Sequence, residues 1–302
     1  MSLSDCAGVW VRRLMTDFIA SSIVRESPIS AEAGAMSVEK TIVGSASQQG
    51  DLWAVRARDY AEVQEPTFLP LYESVLARPQ IAKASSILDV GCGPGLAAQV
   101  FSRRIERVAG ADATAPFIEI ARRRVPSGDF RVAEMESLPF DDGAFDAVTG
   151  FNAFQYAASP VNALREAQRV VKAGGTIVIA VWGLPESCEA AGHLRALGSL
   201  MPPPPPGAPG PFALSDETRL KALAREAGLT PGAIVDVACP WVYPDIETAL
   251  KGMLSAGPAE RAVRASSFER AREAVAVAIR SYRTETGVYR LNNTFRYLVT
   301  RA

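Results

Sequence analysis

The chain has little of what metal, disulfide or nucleic-acid chemistry requires. Of its 302 residues only four are cysteine (Cys6, Cys92, Cys188 and Cys239) and one is histidine, His193. The cysteines lie far apart and form no C-x-x-C pair. A disulfide framework or zinc site is therefore not expected, and a reducing cytoplasm is the natural compartment. Lys plus Arg (32) and Asp plus Glu (33) leave a net charge of −1. That balance offers no basic field to nucleic acid and no polybasic patch to a membrane surface. No apolar run approaches the roughly 20 residues of a bilayer-spanning helix. Near the start, Asp5, Asp17 and Glu26 interrupt the apolar positions Val9, Trp10, Leu14, Phe18 and Ile19, which does not fit a signal peptide. Met36 stands as an alternative start, which would make residues 1–35 dispensable. What remains is a globular composition, 48% hydrophobic, enough for one large domain or a domain with a cap.

The stretch Ser86-Ile87-Leu88-Asp89-Val90-Gly91-Cys92-Gly93-Pro94-Gly95-Leu96 organises the rest. Ile87, Leu88 and Val90 read as a buried strand, and a glycine-rich turn follows. Leu96, Ala97, Val100, Phe101 and Ile105 then repeat at helical spacing. Strand, tight loop and helix form a unit whose helix N-terminus presents unpaired N–H groups to a ligand. Dinucleotide binding calls for G-x-G-x-x-G. Here the third glycine comes one residue early and Leu96 fills the last position, which disfavours a nicotinamide dehydrogenase. Val108 to Asp112 reads as a second strand ending in a carboxylate. Asp112 falls 21 positions after Gly91, near the ~20 residues expected of an acid that accepts from a ribose diol. Phe130 to Ala133 reads as a third strand and Phe145 to Gly150 as a fourth. Ser159-Pro160 starts a helix with a stop at Gly174-Gly175. Thr176 to Trp182 is a continuous apolar run, suited to a strand buried on both faces. Ser215 opens a further helix. Ile234 to Val237 reads as a sixth strand, and Thr294 to Val299 closes as a last one.

The glycine loop, Asp112 and the segment Glu134-Met135-Glu136-Ser137-Leu138-Pro139-Phe140 together resemble the class I S-adenosylmethionine (SAM)-dependent methyltransferases. The resemblance is to the small-molecule, ubiquinone/menaquinone-biosynthesis-like type (methyltransferase type 11), and it covers roughly residues 85–182. It implies an α/β fold: a Rossmann-like, doubly wound, seven-stranded and mostly parallel sheet, its last strand antiparallel beside the fifth, with helical N-terminal and inserted cap segments. The expected organisation is a mobile arm at 1–50, cap helices at 51–84 and a SAM-binding core at 85–182. A proline-rich insertion at 183–213 would lie over the active site. Residues 214–302 would complete the sheet, with inserted cap helices at 245–285.

The resemblance also implies site residues. Cofactor contacts fall on Asp89, Gly91, Cys92 and Gly93 of the loop, and on Asp112, Ala113 and Phe117 after the second strand. Glu134 would take the adenine amino group, Met135 would offer its backbone N–H to a ring nitrogen, Tyr60 would close over the methionine end, and Phe151 is a further cofactor contact. Asn152, Gln155, Tyr156, Trp182, His193 and Tyr243 are the candidates for a small, largely apolar acceptor. The sulfonium of SAM is already an activated leaving group, so no metal is needed and catalysis is mainly positioning, leaving S-adenosylhomocysteine (SAH). A base is needed only where the acceptor must lose a proton. His193 and Tyr156 are the candidates for that role; for His193 an exposed loop position is the competing reading. A SAM-binding protein of the same fold that transfers no methyl group is the alternative function.

Overall fold

All five residues of β1, Ser86–Val90, are buried. Ile87 points into one apolar cluster while Leu88 and Val90 point into the other, so the strand is sandwiched between two cores. The computed structural model describes residues 44–203 and 210–302. Along the chain follow β2 (Arg107–Asp112), β3 (Asp129–Val132), β4 (Phe145–Phe151), β5 (Val171–Trp182) and β6 (Thr230–Ala238). A short pair, β7 (Trp241–Tyr243) and β8 (Tyr289–Leu291), precedes β9 (Thr294–Arg301). The main sheet has the order β3-β2-β1-β4-β5-β9-β6. It is parallel from β3 to β5, and β9 runs antiparallel to both β5 and β6. This is the seven-stranded, mostly parallel, doubly wound sheet that the resemblance implied.

Helices cover both faces. Leu71 and Val75 of the Leu69–Leu76 helix and Val100 and Phe101 of the Leu96–Phe101 helix fill one cluster. Leu164 and Ala167 of the Pro160–Val170 helix pack with Leu220 and Ala224 of the Glu217–Glu226 helix in the other. Ser159 caps its helix by accepting from Asn162 N at 3.3 Å. That helix ends at Val170 rather than at the expected Gly174-Gly175. Val171 already pairs with Phe145, and β5 restarts after a register shift. The cap of the next helix is Asp216, which accepts from Arg219 N at 2.9 Å, and not Ser215, which is buried.

Above the carboxyl ends of β1, β2 and β4 stand the Ala46–Ala54 helix, a π-helical turn at Tyr60–Gln64 and a 3-10 turn at Glu65–Phe68. Three later helices, Ile246–Met253, Gly257–Ala265 and Phe268–Ile279, join them, with Ala191–Gly198 alongside. The mobile arm expected at 1–50 lies outside the described residues as far as 43. Residues 46–50 form the start of the Ala46–Ala54 helix. Of the proline run, 204–206 likewise lie outside them. The β7/β8 pair was not anticipated, because three residues per strand are too few to show a period.

Gly110 marks how tightly β2 is packed. A Cβ there would sit 2.7 Å from the Phe130 ring and 2.8 Å from Cys92 Sγ, both immobilised in the core. Gly110→Ala should therefore cost about 1–3 kcal/mol of stability through overpacking, read as a lowered denaturation midpoint in urea. An unchanged midpoint would show that the β2–β3 layer can relax around the methyl group.

Candidate active site

The glycine loop leaves β1 with φ values of +69°, +53° and +85° at Gly91, Gly93 and Gly95. At Gly93 the requirement is twofold: the backbone is left-handed, and an ideal Cβ would meet nothing nearer than Glu65 Oε1 at 3.9 Å, projecting into space a ligand can use. The Gly93 N–H donates to Asp112 Oδ2 at 2.9 Å, and the Thr114 N–H donates to Asp112 Oδ1 at 2.8 Å. The carboxylate at the end of β2 is thus locked against the loop at the end of β1. Burial raises its pKa, and the two N–H donors oppose the rise. Those donors leave lone pairs free on both oxygens for a diol.

A second carboxylate braces the loop from behind. Glu65 is 2% exposed, accepts from Leu96 N at 3.0 Å and pairs with Arg124. Arg124 also donates to Pro94 O at 3.0 Å and Ala61 O at 2.8 Å. Burial pushes the Glu65 carboxyl up to about 7 against the pull of Arg124. The first N–H of the loop's helix is therefore satisfied by the protein itself.

One cavity, partly open to solvent, runs from this loop to the cap. Gly91, Gly93, Asp112, Ala113 and Phe117 line its inner end, with Met135, Phe151 and Tyr60 around them. Trp53, from the Ala46–Ala54 helix, joins them as a residue the sequence did not single out. Its ring stands edge-on to Tyr60 (5.3 Å, 88°) and to Tyr156 (5.9 Å, 79°), and Tyr60 in turn lies 5.4 Å from Phe117. Electron-rich ring faces of this kind attract a cation. Gln49, Gln64 and Thr114 also line the cavity and were missed. Gln49 and Gln64 hold no motif of their own, and their positions follow only from the folded cap, whereas Thr114 is set by its neighbour Asp112.

Three expected cofactor residues stand elsewhere. Asp89 is 2% exposed and accepts from Thr149 Oγ1 at 2.8 Å beneath the loop; burial pushes its carboxyl up to about 8. The Cys92 side chain packs under Gly110 rather than toward the cavity. Glu134 turns away to the cap: Oε2 accepts from Ala46 N at 2.8 Å, at the start of the Ala46–Ala54 helix, and Oε1 accepts from Glu136 N at 3.1 Å. A carboxylate at a helix N-terminus is a favourable pairing, and here it takes up the group expected to meet adenine.

Of the acceptor candidates, Asn152, Tyr156, Trp182 and His193 line the cavity, while Gln155 and Tyr243 do not. Tyr243 lies one layer behind, fully packed, and its hydroxyl donates to Gln64 Oε1 at 2.9 Å. Gln155 donates from Nε2 to Asn152 Oδ1 at 3.4 Å. Asn152 carries a left-handed φ of +50°, a strained conformation of the sort found at working sites. His193 is not an exposed loop residue. It sits on the Ala191–Gly198 helix at 4% exposure, and burial pulls its pKa down to about 4. Burial pushes the Tyr156 phenol up to about 12, so near neutrality that group holds its proton.

A glycine loop and an acid on adjacent parallel strands open into one aromatic cavity at the carboxyl end of a Rossmann-like sheet. Residues 88–179 match the family model described as a methyltransferase domain. Over 95 residues the chain is 35% identical to a demethylmenaquinone methyltransferase of Thermotoga maritima, covering 31% of this chain and 42% of that protein. Over 108 residues it is 33% identical to a ubiquinone biosynthesis O-methyltransferase of Roseobacter denitrificans, covering 34% and 44%. The chain spans about a third to under half the length of the curated relatives it matches, 33% to 47%. Among solved structures, a chain of the complex between the Haloferax volcanii Trm112 methyltransferase activator and a methyltransferase superposes with a TM-score of 0.51. It is 21% identical, and the match covers 81% of this chain and 96% of that one. That likeness shows the fold alone.

The position of Asp89 gives a stability test. Its folded pKa is raised above the unfolded value, so the carboxyl favours folding only while protonated. Its stabilising contribution is complete below about 4 and is lost as pH rises toward about 8. Asp89→Asn, which stays neutral, should match the wild type in thermal midpoint near pH 4. It should gain on the wild type progressively up to about pH 8. A midpoint difference that stays constant across that range would mean Asp89 ionises freely in the folded protein.

Proposed function

We propose that this chain transfers a methyl group from SAM to a small, largely apolar acceptor. One observation carries the proposal: a single cavity joins the glycine loop and Asp112 at one end to Trp182 and His193 at the other. Methyl transfer needs such continuity, because donor and acceptor must meet in line at near-attack distance with water excluded. The residues fit the cofactor in three respects. Gly93 leaves room, Asp112 has free acceptor capacity, and Trp53, Tyr60, Phe117 and Tyr156 offer ring faces suited to a cation. When bound, SAM supplies a methyl group on a cationic sulfur leaving group. The chain's own part is to orient the two partners and, for an acceptor that must lose a proton, to accept that proton.

The matched domain and the small-molecule relatives support this reading over a binding module. Transfer of label from methyl-labelled SAM to a metabolite extract tests it directly, and calorimetry with SAM and NADH separates it from nicotinamide chemistry. SAM binding without label transfer to any metabolite would favour the non-methylating alternative. No binding of SAM would remove both.

Two variants divide the roles. Asp112→Ala should weaken SAM binding by about 1–3 kcal/mol, because it leaves donors of charge-assisted hydrogen bonds unpaired. An unchanged dissociation constant by calorimetry would confine Asp112 to bracing the loop. His193→Ala should lower kcat about 10²- to 10⁴-fold on an acceptor that must be deprotonated, with SAM affinity retained. A base acts in its neutral form, so wild-type kcat should rise with pH through about 4 and be level by neutrality. A variant within a few-fold of wild type would leave positioning as the source of rate.

A further inference from the structure

Glu65 is a buried charge that methyl transfer, as derived above, leaves without a part. Its Oε1 accepts from Leu96 N at 3.0 Å and lies 3.9 Å from where a Cβ on Gly93 would stand. The carboxylate thus backs onto a loop residue that lines the cavity. Its backbone N–H donates to Tyr60 O, and Tyr60 lines the same cavity. Oε2 faces the other way, to Arg124, which also holds Pro94 O and Ala61 O. The Glu65 side chain is 2% exposed and that of Arg124 is 21% exposed. The pair is therefore oriented, with its negative end enclosed behind the loop and its positive end partly in water. Water screens an exposed charge far more than an enclosed one, so the field that reaches the cavity at Gly93 is that of a carboxylate.

SAM and SAH differ in the charge such a field can read. SAM is a net cation because of its sulfonium, whereas SAH, without the methyl group, is neutral overall. Resting on the methyl-transfer reading above, we infer that Glu65 is a positioning residue that also discriminates by charge: from behind the loop it holds, its carboxylate favours SAM over SAH. Bracing alone would not do this, since a loosened loop weakens both ligands alike. The charged groups and titratable side chains that face Glu65 come from four elements besides its own. Arg124 ends the Ala115–Arg124 helix, Asp112 ends β2, Asp89 and Cys92 flank the end of β1, and Tyr72 stands on the Leu69–Leu76 helix, with Tyr60 one turn earlier. Burial raises Tyr60, Tyr72 and Cys92, so they stay uncharged near neutrality. Burial also holds the Glu65 carboxyl at about 7, so a cation in the cavity draws it toward its charged form and SAM binding releases protons near neutrality.

Calorimetry with SAM and with SAH, on the wild type and on Glu65→Gln, tests the inference without turnover. The amide still offers Leu96 N an acceptor but carries no charge. At about pH 8 the ratio of SAM to SAH affinity should be about fivefold lower in the variant than in the wild type. Toward about pH 6 the wild-type carboxyl protonates and the two proteins should converge. Comparing the proteins cancels the ligands' own titrations and that of Asp89. Should Glu65→Gln fail to fold, the wild type still answers. With ¹³C-labelled glutamate, a carboxyl carbon that titrates near 7 in the free protein should titrate at lower pH with SAM and stay in place with SAH. An equal ratio in the two proteins at about pH 8, with or without weaker binding of both ligands, would overturn the inference. So would a carboxyl titration that SAM leaves unmoved. A wild type that binds SAM yet gives either result keeps the methyl-transfer reading, whereas one that binds neither ligand loses both.

Discussion

Much of this site hangs on one buried carboxylate. Glu65 joins three pieces that the sequence separates widely: the cap in which it stands, the first turn after the glycine loop through Leu96, and the end of the Ala115–Arg124 helix through Arg124. Glycine loops often leave the N–H groups of their helix for an anionic ligand. Here one of those groups is occupied by the protein, so the loop is held in place before any ligand arrives. The ionisable group that faces the inner cavity, Asp112, is acidic. The inner cavity therefore suits a cation between aromatic faces better than a phosphate, in keeping with glycine spacing that departs from the dinucleotide pattern.

The cap shares this dependence. The Tyr60–Gln64 segment is a π-helical turn, a geometry that seldom persists without outside support. Ala61 O is held by Arg124 and Gln64 Oε1 by Tyr243, so the turn is fixed from both the core side and the cap side. The same turn places Tyr60 against Phe117 and Trp53. Cofactor wall and cap geometry are thus parts of one packed unit.

The central strands were legible because burial on both faces leaves an unbroken apolar signature, as in Ile177 to Trp182. The loop and Asp112 were legible because their chemistry is local: a few residues at fixed spacing meet across two neighbouring strands. What the sequence hid depends on distant partners. Tyr243 reads as a pocket aromatic until its hydroxyl meets Gln64, 179 positions away. Glu134 reads as an adenine ligand, and its hydrogen bond from the backbone of Ala46, 88 positions earlier, has no signal in the sequence. Trp53 carries no motif, and only the fold brings it to Tyr156. His193 sits in a stretch whose glycines and prolines read as loop, yet a short helix buries it.

The placement of β9 constrains the order in which the molecule can assemble. β5 and β6 do not pair with each other, and β9 lies between them, with Trp182 opposite Phe295 across more than a hundred intervening residues. Closing so long a loop has to await contacts that reward it. Strands β1 to β5 can pair with their neighbours early, carrying the glycine loop and Asp112 with them. The wall built from Trp182 and Phe295, whose rings lie 4.5 Å apart, exists only once that late strand has docked. The nascent chain can thus set the glycine loop and Asp112 well before the Trp182 end of the cavity, and an arrested folding intermediate would be half a pocket.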